Sequence, residues 1–188
     1  MAQEIEIEFK NLLTKAEYEI LLNYLPFPSV GKKQINYYFE TIDFKLRQHK
    51  SALRIREKNG KYQLTLKEPF GDGLLETHDS LIKEEVTEWL NGNPVPKAET
   101  SEQLSKMNIS INELQYYGSL STIRREYIHS GLIYVLDHSS YHNHEDYELE
   151  IEAKDKESGL KALETILMEC GITRKETPNK IARFFQKM

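Results

Sequence analysis

The sequence predicts an α+β fold: about eight antiparallel strands, enough to close a barrel, with a smaller number of helices between and after them. Three observations predict it. Charged and apolar residues alternate at every second position in several segments, the spacing at which a strand sends neighbours to opposite faces. Two-residue turn signals join some of these segments. Only a few stretches carry apolar residues at helical spacing.

The first strand is Glu4-Ile5-Glu6-Ile7-Glu8-Phe9-Lys10, which would place Glu4, Glu6, Glu8 and Lys10 on one face and Ile5, Ile7 and Phe9 on the other. Like charges at i, i+2 repel one another unless water, a metal ion or a set of Arg and Lys sits against them. Thr14-Lys15-Ala16-Glu17 has the capping-box pattern, and Tyr18, Leu21, Leu22 and Leu25 continue a helix that Pro26 ends. A strand follows over Lys33 to Glu40. Lys45, Arg47, His49 and Lys50 form a basic cluster in a loop, read as solvated surface. Asn59-Gly60 then joins Leu53-Arg54-Ile55-Arg56 to a strand over Tyr62 to Lys67 as a type I′ hairpin. A short strand is expected around Leu74 to Thr77, and a helix over Ile82 to Leu90 with Ile82, Val86, Trp89 and Leu90 as its apolar face. After a loop from Asn91 to Pro96, a further helix lies near Ser101 to Met107. Ser130-Gly131 marks a second hairpin between Thr122 to His129 and Leu132 to His138, and the last strand runs from Tyr147 to Ala153. Leu160, Leu163, Ile166 and Leu167 mark a helix that stops at Gly171, and Asn179 to Phe185 adds a final turn or two.

A chain of 188 residues with no internal repeat is expected to form one domain, 1–188, large enough to stand without disulfides or a structural metal. The single Cys170 cannot form an internal bridge, the start Met1-Ala2-Gln3-Glu4 is unlike a secretory signal, and no run of about 18 apolar residues could span a bilayer. A cytoplasmic setting is expected. The formal charge of −5 argues against nucleic acid held on a basic surface, but leaves room for a local basic pocket.

The strands differ in the sign of their charged faces. Glu148, Glu150 and Glu152 alternate with Tyr147, Leu149 and Ile151; Arg54 and Arg56 alternate with Leu53 and Ile55; Gln63, Thr65 and Lys67 alternate with Tyr62, Leu64 and Leu66. Gln34, Asn36 and Tyr38 are the polar alternates of their strand. Thr122, Arg124 and Glu126 form another polar set, with Arg125 on the opposite side as a competing register. The charged sets are thus acidic at both ends of the chain and basic in the middle. Two architectures accommodate this. An open sheet could pack one face on helices and leave the other in water. A barrel could instead turn its charged faces inward, where carboxylates suit hard divalent cations and arginines suit phosphate oxygens, a combination matched by a metal-bound polyanion.

Glu6-Ile7-Glu8-Phe9-Lys10 resembles the ExExK signature of the CYTH, or triphosphate tunnel metalloenzyme, family, which includes thiamine and inorganic triphosphatases, class IV adenylyl cyclases and fungal-type RNA triphosphatases. Other segments resemble the family in the same order: Gln34 to Thr41 is similar to its segment ending YFDT, with Glu40 where Asp is usual, and Ala52-Leu53-Arg54-Ile55-Arg56 and Leu64-Thr65-Leu66-Lys67 are similar to its ALRIR and TLK strands. Leu136-Asp137 with Tyr141, the run Asp146 to Glu152, and Asn179-Lys180-Ile181 with Arg183 complete the set. Glu76 and His78 depart from the basic residue and acid that many members carry on the fifth strand.

The resemblance implies an eight-stranded tunnel with a charged lumen and helices packed outside. It implies a metal-dependent phosphohydrolase that takes a small anionic triphosphate (inorganic, thiamine or nucleoside) and releases orthophosphate. Inorganic triphosphate leads, since no base-recognition pocket is identifiable in the sequence. A class IV-type adenylyl cyclase and a non-catalytic polyphosphate- or nucleotide-binding module are the alternatives. By the same resemblance, Arg54, Arg56, Lys67, Arg124, Lys180 and Arg183 would position phosphates. Glu6, Glu8, Asp137, Glu148 and Glu150, with Glu152 as a further candidate, would hold Mg²⁺ or Mn²⁺. Glu6, Glu8 and Lys10 form the catalytic set, with Lys10 touching phosphate. Glu4 is expected to be solvated at the tunnel mouth, and His138, His142 and His144 to lie in a turn rather than form a zinc site.

Overall fold

The computed structural model describes residues 3–188; Met1 and Ala2, used above in reading the N-terminus, lie outside the described residues. Along the chain run β1 (Gln3–Leu13), α1 (Lys15–Tyr24), β2 (Lys32–Thr41), α2 (Lys45–Gln48), β3 (Ala52–Lys58), β4 (Lys61–Phe70), β5 (Gly73–Leu81), α3 (Lys83–Leu90), α4 (Ala98–Lys106), β6 (Leu114–His129), β7 (Leu132–Tyr141), β8 (His144–Ala153), α5 (Lys156–Glu169) and α6 (Lys180–Gln186). The strands close into a barrel in the order β1-β5-β4-β3-β2-β6-β7-β8. The open-sheet alternative is thereby excluded. Among the described residues, no helix is long and apolar enough to cross a membrane.

Local chemistry fixes the elements. Thr14 Oγ1 accepts from the Glu17 N–H while Glu17 Oε2 accepts from the Thr14 N–H, so the predicted capping box starts α1. Asn59 and Gly60 both have positive φ, as do Ser130 and Gly131, which is what type I′ hairpins need. At the end of α5, Gly171 (φ 65°) sits at the left-handed position, and Ile172 N–H reaches back to Leu167 O at 2.8 Å.

Several segments are longer than expected. β5 continues to Leu81 because it stays paired with β4 to that residue, and β6 begins at Leu114, where burial of Leu114 and Leu120 carries it beyond its strongest alternation. β8 begins at His144 after a turn in which His142 and Asn143 take positive φ. The expected basic loop contains α2, held by Glu40: its carboxylate accepts from the N–H groups of Thr41, Leu46 and Arg47. That is a structural task for the Glu that stands where the family usually has Asp.

The chain divides into two compact units. In the first, Gln3–Ile5 with Gln34–Leu120, the apolar alternates of β2–β4 (Phe39, Leu53, Ile55, Leu64, Leu66) pack with Leu46, Val86, Trp89 and Leu104 of the helices. In the second, Glu6–Lys33 with Ser121–Met188, the apolar alternates of β7 and β8 (Tyr134, Leu136, Tyr147, Leu149, Ile151) pack with Tyr18 and Leu21 of α1 and Leu163, Ile166 and Leu167 of α5. In each unit the helices cover the apolar face of the strands, so the charged alternates take the other face.

Candidate active site

In the first unit, register alone collects a charged row. Tyr38 stands opposite Arg54 and Asn36 opposite Arg56; Arg54 is in turn opposite Thr65, Thr65 opposite His78, and Lys67 opposite Glu76. Glu76, only 5% exposed, pairs with Lys67, and Arg54 Nη2 lies 3.9 Å from its Oε2. Arg56 donates from Nε to Asn36 Oδ1 at 2.9 Å.

Beside them, His78 Nε2 is 3.0 Å from Glu4 Oε1 and 3.6 Å from Glu76 Oε2, and its Nδ1 is 3.1 Å from Thr65 Oγ1. One ligand atom from each of Glu4, Glu76 and His78 falls within 4.8 Å of the other two. Two carboxylates and an imidazole are a plausible donor set for a divalent ion. Glu4 is solvated, as expected, with a side chain 65% exposed, yet it joins this cluster. Sequence reasoning set Glu4 aside as solvated, and its partner His78 is 74 residues away, beyond any local pattern. The i, i+2 spacing of Glu76 and His78 was the available signal.

The second unit holds a denser network. Arg124 donates to Asp137 from Nε (2.9 Å) and Nη2 (2.6 Å), and the same Nη2 is 2.7 Å from Glu150 Oε2. This bidentate grip settles the register: Arg125 faces the other way and donates to Tyr18 Oη and Ser29 O. From α6, Lys180 Nζ contacts Asp137 Oδ2 and lies 3.1 Å from Glu150 Oε1 and 3.4 Å from Glu148 Oε2. One turn on, Arg183 joins Glu148 at 2.5 Å and Asp146 at 2.9 Å. Asp146 continues the Glu148, Glu150 and Glu152 alternation; the sequence reading placed it in that run but gave it no role in the site. Lys10 pairs with Glu8 on β1 and stands opposite Glu150 in the ladder with β8. Glu6 is half-buried, just before the first residue of β1 that pairs with β8.

The network is buried, and its protonation follows from that. Burial pushes the Asp137 and Glu150 carboxyls up, but Arg124 and Lys180 outweigh it, leaving Asp137 below and Glu150 well below the usual carboxylate range. Glu148 goes the other way, raised first by burial and then by Glu150, despite Lys180 and Arg183. Burial opposes the charge on Lys10, yet Glu8, Glu150 and Glu148 hold its pKa above the ordinary lysine value. Each cation here is therefore fixed between anions, and each acid faces a cation. Such an arrangement can exchange its internal partners for a metal ion on the acidic side and phosphate oxygens on the basic side.

Of the expected site residues, the structure brings Arg124, Lys180, Arg183, Asp137, Glu148 and Glu150 into one network, and places Lys10 with Glu8. Arg54 and Lys67 gather around Glu76 in the first unit, and Arg56 lies on the same face. His138 pairs with Glu145 and stacks on Tyr147, while His142 packs on Phe184.

The CYTH domain model matches residues 4–185. The Bacillus subtilis protein "Putative triphosphatase YjbK" is 50% identical over 189 residues, covering 100% of this chain and 97% of the relative. Among solved structures, a Bacillus halodurans protein described as a putative adenylate cyclase superposes with a TM-score of 0.93 at 42% identity, covering 98% of this chain and 100% of the other. HpAC1 from Hippeastrum, a putative adenylyl cyclase described as having a dominant triphosphatase activity, superposes with a TM-score of 0.79 at 27% identity, covering 97% and 95%.

Proposed function

The chain belongs to the CYTH domain family, and within it we propose a divalent-metal-dependent triphosphatase of the cytoplasm that releases orthophosphate from a small triphosphate. The observation that carries this reading is the buried network of Arg124, Lys180 and Arg183 with Asp137, Glu148 and Glu150. Cations bound to their own protein's acids have a use if a polyanion and a metal ion replace both sets of partners together. The triphosphatase name of the 50% identical relative and the activity described for the Hippeastrum protein support the same reaction.

In the proposed reaction a water oxygen attacks the terminal phosphorus and gives its proton to a carboxylate of the site, the bond to the bridging oxygen breaks, and a diphosphate leaves as orthophosphate forms. Arg54, Arg56, Lys67, Arg124, Lys180 and Arg183 hold the phosphate oxygens, and their fixed charges stabilise the transition state more than the mobile dipoles of water would. Lys10 adds a further cation. Glu6, Glu8, Asp137, Glu148 and Glu150 are the proposed ligands for Mg²⁺ or Mn²⁺, with Glu4, Glu76 and His78 as a second candidate set. Their carboxylate oxygens fit a hard ion, which when bound supplies charge neutralisation and Lewis acidity.

Product analysis with Mg²⁺ or Mn²⁺ tests the reading. Orthophosphate from a triphosphate is the expected result. Cyclic nucleotide with pyrophosphate would assign a cyclase, the reading that the name of the Bacillus halodurans structure favours. Saturable binding without product would leave a sensor.

A further inference from the structure

Gln34 is 2% exposed, yet among the described residues neither its Nε2 nor its Oε1 has a hydrogen-bond partner. Asn36, fully buried, accepts at Oδ1 from Arg56 Nε, but its own Nδ2 has no partner, and neither does Arg54 Nε. These atoms share a face. Gln34 stands opposite Lys58, Asn36 opposite Arg56 and Tyr38 opposite Arg54, while Phe39, of the other alternate set, packs edge-on to Trp89 on the helical side. The charged row of the first unit therefore continues past its arginines into neutral amides, toward the Asn59-Gly60 hairpin.

Buried polar atoms are seldom left unpaired, so this cluster calls for a partner. The amides specify which kind. A phosphate oxygen at neutral pH can accept from Gln34 Nε2, Asn36 Nδ2 and Arg54 Nε, but it has no proton to give to Gln34 Oε1. A hydroxyl or amino group next to an acceptor satisfies both ends of the Gln34 amide. We propose that Gln34 and Asn36 recognise the nucleoside esterified to the triphosphate, through a hydrogen-bond donor beside an acceptor on it. This inference rests on the triphosphatase reading and moves the substrate from the inorganic triphosphate expected in sequence to a triphosphate ester. Hydrogen-bonded sites of this kind discriminate strongly, because a substrate lacking the group leaves the protein's own polar atoms buried and unpaired.

The test measures orthophosphate release from inorganic triphosphate, ATP, GTP, CTP and UTP by the native protein and by Gln34→Leu, which keeps the volume and removes both polar atoms. Gln34→Met serves the same purpose if the leucine variant folds poorly. Expected is a native kcat/KM higher for at least one nucleoside triphosphate than for inorganic triphosphate, and a fall of about tenfold or more in that ratio in the variant. A native preference for inorganic triphosphate, or a ratio unmoved by the substitution, overturns the proposal. If no triphosphate yields orthophosphate, the hydrolase reading fails separately, and thermal shifts with the same ligands and Ca²⁺ decide this one. A nucleotide-specific shift lost in Gln34→Leu sustains the proposal, and equal shifts in both proteins overturn it.

Discussion

Asp137 has no exposed surface and answers two cations, Arg124 and Lys180. Asp137→Asn keeps the shape and removes the charge, which should cost about 3–5 kcal/mol at pH 7, the usual price of leaving buried ions uncompensated. The native carboxyl is lowered, so its stabilisation is complete above the ordinary aspartate pKa and disappears as pH falls through the lower native value. Urea unfolding should therefore show a wide gap between native and Asn forms at pH 7 that narrows only below about pH 4; a gap independent of pH would mean that the charge is not what stabilises. Arg54→Ala and Arg56→Ala should each lose about 1.5–3 kcal/mol of transition-state stabilisation in kcat/KM, while Lys50→Ala, exposed beside α2, should lose little. If Lys50 mattered more than both arginines, the proposed grip would be wrong. Alternation alone put Arg54, Arg56, Glu148 and Glu150 on the charged faces of their strands. It could not choose between Arg124 and Arg125, since only Tyr18 and Asp137, both remote in sequence, distinguish the two sides.

At the scale of elements, the hairpin turns and capping box could be read because their chemistry is local, whereas α2 and the full length of β5 and β6 could not. α2 exists because Glu40 caps it from the end of β2, and strand ends depend on ladder partners. Helix α5 illustrates the same limit. Gly159 lies inside it, where alanine would ordinarily be favoured by about 1 kcal/mol. Here a Cβ would fall 2.7 Å from the Phe9 ring and 2.8 Å from Ala153 Cβ. Both neighbours are held in the strand layer under the helix, so packing should outweigh propensity and Gly159→Ala should destabilise by about 1–3 kcal/mol. Chemical denaturation decides it, and a stabilised variant would show that α5 can lift off β1 and β8 at no cost. Helix α6 belongs to the site rather than the scaffold alone. Asn179 caps it through the Ala182 N–H, and the helix then carries Lys180 and Arg183 to the acids of β7 and β8.

For the whole molecule, the barrel was legible as a count of alternating strands, but its closure came only from the family resemblance, because an open sheet with solvated charges has the same local pattern. Closure and internal pairing have a thermodynamic consequence. The acids and cations of the second unit already neutralise one another, so a metal ion entering alone must strip acids from Arg124 and Lys180, and triphosphate entering alone must strip cations from Asp137 and Glu150. Entering together, each ligand compensates the charges the other exposes, and binding should be positively coupled. A ligand specific for the folded state stabilises by about 2.7 kcal/mol at one hundred times its dissociation constant, and a domain near this size gains roughly 2–4 °C per kcal/mol. Triphosphate with Ca²⁺ should thus raise the melting temperature by about 5–10 °C, more than the sum of the shifts from either alone. Orthophosphate at the same concentration should do much less, since it spans fewer of the proposed cations. Small, equal shifts for triphosphate and orthophosphate that vanish together in about 0.3 M salt would indicate screened surface association instead, and would overturn the coupled site.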